Sequence, residues 1–372
     1  MKVLICIPCL MTGGTEIQTL NLVHALVEGG HEVWTLCYFE YSGEMVERYR
    51  NVGSKVILLS PGGSRVGGWR DVLLLFKGLR KALRQIHPDV AHVQYMAPGA
   101  IPIVILRLLG CRCVIATTHT AADIYPSLRL VHFIQRHSVR AFTCITETAE
   151  RSFFGTSRLY SEDFVLKKRN HLTIYNALPK SFTIAQTPRE FGRPIVLGVV
   201  SRLEYIKGMD LVIPAYAEIL NEFPDTKLIV VGEGSLRQSM EQQAVTLHCN
   251  SSITWAGRQP QEHIQEWYSR IDVLLMPSRS EGFGLTAIEA MASGCVVVAS
   301  DVGGLPEVVR DDEVGLLHTS ESVNDIVEKV KKLIAAPGLM ERLSANAVKY
   351  VGRYSLDRYT LLFNDLYSKL SR

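Results

Sequence analysis

Apolar residues along this chain come in two patterns, short continuous runs and longer stretches at helical spacing. Residues 3–8 and 56–59 are continuous apolar runs and 33–39 is apolar but for Thr35, which predicts strands buried on both faces. Between them Ile17, Leu20, Val23 and Leu26 or Val27 fall on one helical stripe, closed by Gly29-Gly30. An amphipathic helix is expected over 69–87, with Val72, Leu73, Leu75, Phe76, Leu79, Leu83 and Ile86 as its apolar members. Strands at 89–95, 113–119, 141–146 and 172–175 follow, with a helix over 100–109. Strands that alternate with helices predict a parallel sheet built of βαβ units.

Residues 178–193 contain Pro179, Pro188 and little pattern, and read as a linker. A second alternating series starts at Pro194. Its strands are expected at 195–200, 228–231, 253–255, 272–277, 295–299 and 315–317. A helix over 209–221 carries Pro214, which is expected to kink it. From Glu321 onward the pattern is helical, at about 321–335, 338–351 and 356–370. The prediction is an α/β protein of two doubly wound domains facing each other across a cleft, with domains at 1–180 and 190–352.

Charge adds an asymmetry. The formal net charge of the 372 residues is only +3. Residues 1–186 hold 21 Lys+Arg against 13 Asp+Glu, or +8, and residues 187–372 hold 19 against 24, or −5, which restores +3. A basic first half suits an anionic partner: phosphorylated substrate, lipid headgroup or nucleic acid. Lys77, Arg80, Lys81 and Arg84 line one face of the 69–87 helix, which begins at Trp69. That face is either simply solvated or meets anionic lipid at the inner membrane surface. Of the eight cysteines, Cys6/Cys9 and Cys111/Cys113 lie close in sequence, but neither pair has the second Cys/His pair that structural zinc needs. Buried thiols in a reducing compartment are the expectation. No apolar run reaches the length of a membrane helix, so a cytoplasmic protein is expected, at most peripheral on the membrane.

Ligands of doubly wound sheets bind beyond the carboxyl ends of the strands. In the first half this brings together Gly13-Gly14, the loop at His119, and Asn176-Ala177. No GxGxxG or GxxxxGK[ST] occurs, which argues against a nicotinamide dehydrogenase and a P-loop ATPase, and HExxH and GxSxG are also missing. His119 is either a packed loop residue or a participant in chemistry. In the second half the stretch 278–301 is the most informative. A turn, Glu281-Gly282-Phe283-Gly284, leads into a helix over 285–292 and then an apolar strand. Helix N-termini favour phosphate, and glycines let backbone approach a ligand. Glu281 and Glu289 stand eight residues apart, roughly 12 Å if helical throughout, which resembles the gap between the two sugars of a nucleotide diphosphate sugar. The plainer alternative is a pair of solvated glutamates. Arg202 and Lys207, on the loop after the 195–200 strand, could clamp a diphosphate at the same sheet edge, or be ordinary surface cations.

The segment Glu281-Gly-Phe-Gly-Leu-Thr-Ala-Ile-Glu289 resembles the E-x7-E motif of retaining glycosyltransferases of family 4, which have the GT-B fold. The resemblance spans most of the chain, through Met11-Thr-Gly-Gly-Thr-Glu16, Thr118-His119, Ser201-Arg-Leu-Glu-Tyr-Ile-Lys-Gly208, Val231-Gly-Glu-Gly234 and Asp301-Val-Gly-Gly-Leu-Pro-Glu307. It implies a first domain for the acceptor, a second for the donor, and a C-terminal segment, 353–372, that crosses back to the first. The implied roles are specific. Arg202 and Lys207 bind the donor diphosphate, Glu289 the ribose, Glu281 with the backbone at Gly282, Phe283, Gly284 and Leu285 the transferred sugar, and Thr286 the donor. Arg258 meets the base, Gly13 and Gly14 the donor from the first domain, and His119 the reacting carbon. Thr15 and Asn176 lie on the acceptor side. The sequence departs from the family pattern after the histidine, where Thr120 and two alanines precede Asp123. The implied activity is retaining, metal-independent and cofactor-free sugar transfer from a nucleotide diphosphate sugar to a glycan or lipid-linked acceptor, in cell-surface polysaccharide assembly. Two rivals remain at this level: a GT-B nucleotide-sugar 2-epimerase, and a non-catalytic anion or nucleic-acid-binding module. Against the latter, no helix-turn-helix or aromatic stacking stripe is present, and no nucleic-acid partner is expected.

Overall fold

The computed structural model describes all residues except 61, 66, 95–99, 123, 124, 126, 167, 168, 188, 371 and 372. The chain forms two compact units, Met1–Pro179 together with Ser355–Arg372, and Lys180–Tyr354.

The first unit is built on seven parallel strands: β1 (Lys2–Ile7), β2 (Glu32–Cys37), β3 (Lys55–Leu58), β4 (Val90–Gln94), β5 (Val114–Thr118), β6 (Ala141–Cys144) and β7 (His171–Thr173). Their order is β3-β2-β1-β4-β5-β6-β7, and Val3 pairs with Val33 on one side and Val90 on the other. Side chains of a strand alternate between faces, so β1 feeds two cores. Val3, Ile5 and Ile7 pack with residues of the helices Gly14–Glu28 and Leu356–Leu370. Leu4 and Cys6 pack on the other face with the helices Trp69–Ile86, Ala100–Leu108 and Leu128–His137. Burial on both faces is why the strand runs are continuously apolar rather than alternating. The expected 89–95 strand ends at Gln94 in the described residues, and Tyr95 lies outside them.

The second unit carries six parallel strands: β8 (Val196–Val200), β9 (Lys227–Val231), β10 (Ile253–Gly257), β11 (Val273–Met276), β12 (Val296–Ser300) and β13 (Leu316–His318), in the order β10-β9-β8-β11-β12-β13. The helix Leu285–Ala292 follows β11 and packs on the helix Pro337–Val351. Pro214, expected to kink its helix, lies outside the helix interior. The α-helix begins at Val212, so Pro214 falls in the first turn, where its missing N–H has no intrahelical partner to lose. Helices the apolar pattern does not reveal include Gly43–Asn51, Leu128–His137, Glu147–Phe154 and Arg237–Thr246. Gly43–Asn51 is mostly polar and buries only Met45, Val46 and Tyr49; Ser42 starts it by accepting the Met45 amide at 3.2 Å.

Candidate functional site

Strands β8 and β11 are neighbours, yet the sheet grows away from them in opposite directions, through β9 to β10 and through β12 to β13. Such a reversal opens a crevice at the carboxyl ends of the two central strands. The loops that leave there are 201–208 and 277–284, and they are locked together. Gly208 has φ +67°, and a Cβ on it would lie 1.8 Å from the Pro277 carbonyl oxygen, so only glycine allows this approach. The Arg279 amide donates to the Ile206 carbonyl at 2.9 Å.

Arg279 itself is the bolt of this region, and sequence reasoning missed it. Its guanidinium donates to both carboxylate oxygens of Asp210, at 2.6 and 2.8 Å, and to both of Glu321, at 2.5 and 2.9 Å. It also reaches the Tyr205 carbonyl at 2.6 Å and lies 3.6 Å from the centre of the Tyr205 ring. A planar fork that saturates two carboxylates is a task for arginine rather than lysine. The only signal in the sequence is a cation two residues before Glu281.

On this frame Lys207 donates to Glu281 Oε2 at 2.6 Å. The two side chains are 19% and 17% exposed, so the pair is poorly solvated without being sealed. An ammonium has three donors, and one on Glu281 leaves others for a ligand. The Glu281 carbonyl accepts the Gly304 amide at 3.0 Å, which ties in the loop after β12. Gly284, φ +99°, caps the helix Leu285–Ala292. The Ala287 and Ile288 amides close onto the Gly284 carbonyl, which leaves the Leu285 and Thr286 amides as the unpaired donors of the first turn. Phe283 is buried edge-on against Tyr354, with centroids 5.5 Å apart, and anchors the turn from below. Gly282 is half-buried and Arg202 exposed. Arg258 is exposed just after β10.

Glu289 is not a solvated glutamate. It is 7% exposed and accepts from the Tyr268 hydroxyl at 2.9 Å and from Gln261 Nε2 at 3.3 Å. Burial pushes its pKa up to about 7, against the two hydrogen bonds that favour the carboxylate. Tyr268 and Gln261 come from the segment before β11, and neither was identified from the sequence.

In the first unit, the residues expected at the carboxyl edge of its sheet are held by buried polar contacts. Gly13 caps the helix Gly14–Glu28, and a Cβ there would lie 2.4 Å from Glu16 Oε2. Thr15 is half-buried two residues further on. Gln18 clamps the Ala177 peptide from both sides, its Nε2 donating to the carbonyl at 2.7 Å and its Oε1 accepting the amide at 3.0 Å. That clamp fixes the neighbouring Asn176, which is buried. His119 is 8% exposed and shares a 2.8 Å hydrogen bond between its Nε2 and Gln94 Oε1. Burial lowers its pKa to about 4, so the ring is neutral near pH 7. Lys77, Arg80, Lys81 and Arg84 are all exposed on the Trp69–Ile86 helix, and Trp69 is 70% exposed at its start. Among the described residues no helix is long and apolar enough to cross a membrane.

Residues 181–350 match the family described as glycosyl transferases group 1, and residues 12–156 match the family described as glycosyltransferase family 4. The chain is 30% identical over 371 residues to an uncharacterized glycosyltransferase of Methanocaldococcus jannaschii, covering 96% of this chain and 95% of the other. It is 32% identical over 180 residues to a D-inositol 3-phosphate glycosyltransferase of Streptomyces bingchenggensis, a match that spans 46% of this chain and only 40% of that one. The fold is similar to that of Anabaena HepE in complex with UDP, with a TM-score of 0.79 at 17% identity, over 99% of this chain and 100% of the other.

Proposed function

The chain is a glycosyltransferase that belongs to family 4 and has the GT-B fold, and from that premise we propose that it moves a sugar, with retention of anomeric configuration and without a metal, from a nucleotide diphosphate sugar to a glycan or lipid-linked acceptor in cell-surface polysaccharide assembly. The observation that carries this reading is the Lys207–Glu281 pair at the switch point of the second sheet, followed by a glycine-capped helix that carries a buried glutamate. Arg202, Lys207 and the Leu285 and Thr286 amides meet the two phosphates. Positive charge and amide dipoles placed where negative charge grows lower the barrier to departure of the diphosphate. Glu281 accepts from hydroxyls of the transferred sugar, and Glu289 from those of the ribose. Arg258 serves the base.

The sugar C1–O bond to the diphosphate breaks, and the acceptor oxygen bonds C1 from the same face. The departing phosphate oxygen takes the acceptor's proton, so no enzyme nucleophile is needed. His119, neutral at pH 7, offers the polarity of an imidazole rather than a positive charge near the sugar. Gly13 and Gly14 approach the donor, and Thr15 and Asn176 the acceptor. The exposed cations 77–84 and Trp69 support attachment to the anionic inner face of a membrane, where a lipid-linked acceptor would be met.

The test is a thermal-shift panel of UDP, GDP, ADP, CMP and NAD, each with EDTA. UDP comes first because it is the nucleotide in the HepE structure. A ligand at 100 times its Kd stabilises a fold by about 2.7 kcal/mol. A selective response to one nucleoside diphosphate fits the reading and directs the sugar screen; a response to NAD alone would overturn it. A product assay with donor sugar then separates transfer from 2-epimerisation, which needs no acceptor.

A further inference from the structure

The carboxyl edge of the first sheet carries His119, but the opposite edge holds a cavity of about 680 Å³. It forms where the helices Ala100–Leu108 and Leu128–His137 end and where β5, β6 and β7 begin. Five arginines line it: Arg107, Arg112, Arg136, Arg140 and Arg169. The rings of His132 and His171 each stack on Phe154, with centroids 5.6 and 4.2 Å from the phenyl ring. Among the described residues no Asp or Glu lines it. The nearest counter-charge is Glu150, whose side chain is fully buried. It is already engaged by Arg169 Nη2 at 2.8 Å and His171 Nδ1 at 2.7 Å.

From this geometry we infer that the cavity is a second anion site, which takes a compact ligand bearing two or more phosphate charges. Volumes of roughly 300–1,000 Å³ are those of ordinary small-molecule sites. Guanidinium groups recognise phosphate bidentately, and several in one concave surface without an acid repel one another until an anion fills it. Two of them are preset. Arg107 Nη1 donates to the carbonyls of Cys111 and Arg112 at 2.8 and 3.1 Å, and Arg169 is held by Glu150 and the His171 carbonyl. Arg112, Arg136 and Arg140 are exposed and able to close on a ligand.

This site is separate from the chemistry at the other edge. Arg112 precedes β5 and His119 follows it, and seven residues of extended chain span about 23 Å, too far for one diphosphate to touch both. The phosphate belongs either to a free anion or to a lipid headgroup. Leu108 is 76% exposed next to Arg107, and Phe133 is 60% exposed with its ring 4.8 Å from that of His137, which lines the cavity. Both apolar side chains would suit a bilayer surface.

The experiment uses the whole protein, inorganic tripolyphosphate by calorimetric titration at low salt, and flotation with cardiolipin-containing or pure phosphatidylcholine vesicles. The expected result is saturable binding to tripolyphosphate, to anionic vesicles, or to both. In a Lys207→Ala background, which weakens the proposed diphosphate site of the other unit, Arg112→Glu/Arg140→Glu should weaken binding at least tenfold and Arg136→Glu severalfold. Binding of tripolyphosphate assigns a free anion, and binding of anionic vesicles alone assigns a headgroup. Binding of neither ligand, tripolyphosphate binding lost with Lys207→Ala alone, or binding in that background left unchanged by Arg112→Glu/Arg140→Glu at unchanged Tm would each overturn the assignment.

Discussion

Lys207 and Glu281 are each other's partner before any ligand arrives, and this shapes what their removal does. Without Glu281 the ammonium loses its anchor; without Lys207 a carboxylate is left beside the expected phosphates. Each alanine variant should therefore lower kcat by about 10²–10³, the magnitude for a donor aimed at growing charge. The double variant should cost much less than the product of the two, because the residues act as a unit. A radiolabelled transfer assay reads both, and near-normal turnover in either single variant would sink the assignment.

Glu289 makes a pH-dependent prediction. Its folded pKa is raised from 4.5 to about 7, so between those values the folded state binds more protons than the unfolded one. Stability contributed by the protonated form is present below about pH 4.5 and is lost as pH rises through 7. Glu289→Gln should remove that loss, with its largest gain in Tm above pH 7. For the donor the sign is reversed under the proposed role, in which ribose hydroxyls donate to the carboxylate. Affinity for a nucleotide diphosphate sugar, whose phosphate diesters do not titrate there, should rise from pH 6 to 8 in the wild type and stay flat in Glu289→Gln. A flat wild-type profile would contradict the ribose role. The spacing of Glu281 and Glu289 was legible in the sequence. The burial that gives Glu289 its behaviour was not, because Tyr268 and Gln261 reach it from more than twenty residues away.

At the scale of elements, strands were easy to read and polar helices were not. Continuous apolar runs marked the strands because helices cover both faces of each sheet. Gly43–Asn51 hid because three buried residues suffice to dock it, too few to set a visible period. The loops carry what apolar periodicity cannot signal, since the approach of 201–208 to 277–284 depends on one glycine and on Arg279. Gly208→Ala must displace the Pro277 carbonyl and adopt φ +67°. It should cost about 1–3 kcal/mol, read as a drop of a few degrees in Tm, together with weaker donor binding. Gly338→Ala is the contrast. Nothing lies within 4 Å of a Cβ there, and the residue is inside the helix Pro337–Val351, so stability should hold or rise by roughly 0.5–1 kcal/mol. The basic cavity was illegible for a related reason. Its arginines come from three separate segments, each of which reads alone as a solvated charge.

At the scale of the molecule, the first unit is discontinuous. The helix Leu356–Leu370 packs against Gly14–Glu28 and buries Tyr359, Phe363, Leu366 and Tyr367 in the core of that unit. Tyr367 also hydrogen-bonds the buried His92 Nδ1 at 2.7 Å. Tyr367→Phe strands that nitrogen and should cost about 1–3 kcal/mol, measurable by denaturant unfolding. Removal of residues 355–372 should be far worse, with the first unit recovered aggregated or as a loosely packed state that binds hydrophobic dye. A truncated protein with an unchanged first transition would contradict this.

The same discontinuity sets a timetable for synthesis. The sheet of the first unit leaves the ribosome with its apolar side around Val3, Ile5 and Ile7 only partly covered. The missing helix follows the 175 residues of 180–354, which at 5–20 residues per second is a wait of roughly 10–35 s. The second unit is continuous in the chain and can fold as soon as it emerges. The half of the enzyme that is translated first is therefore the half that is completed last, and in the interval it presents the kind of greasy surface that holdase chaperones retain.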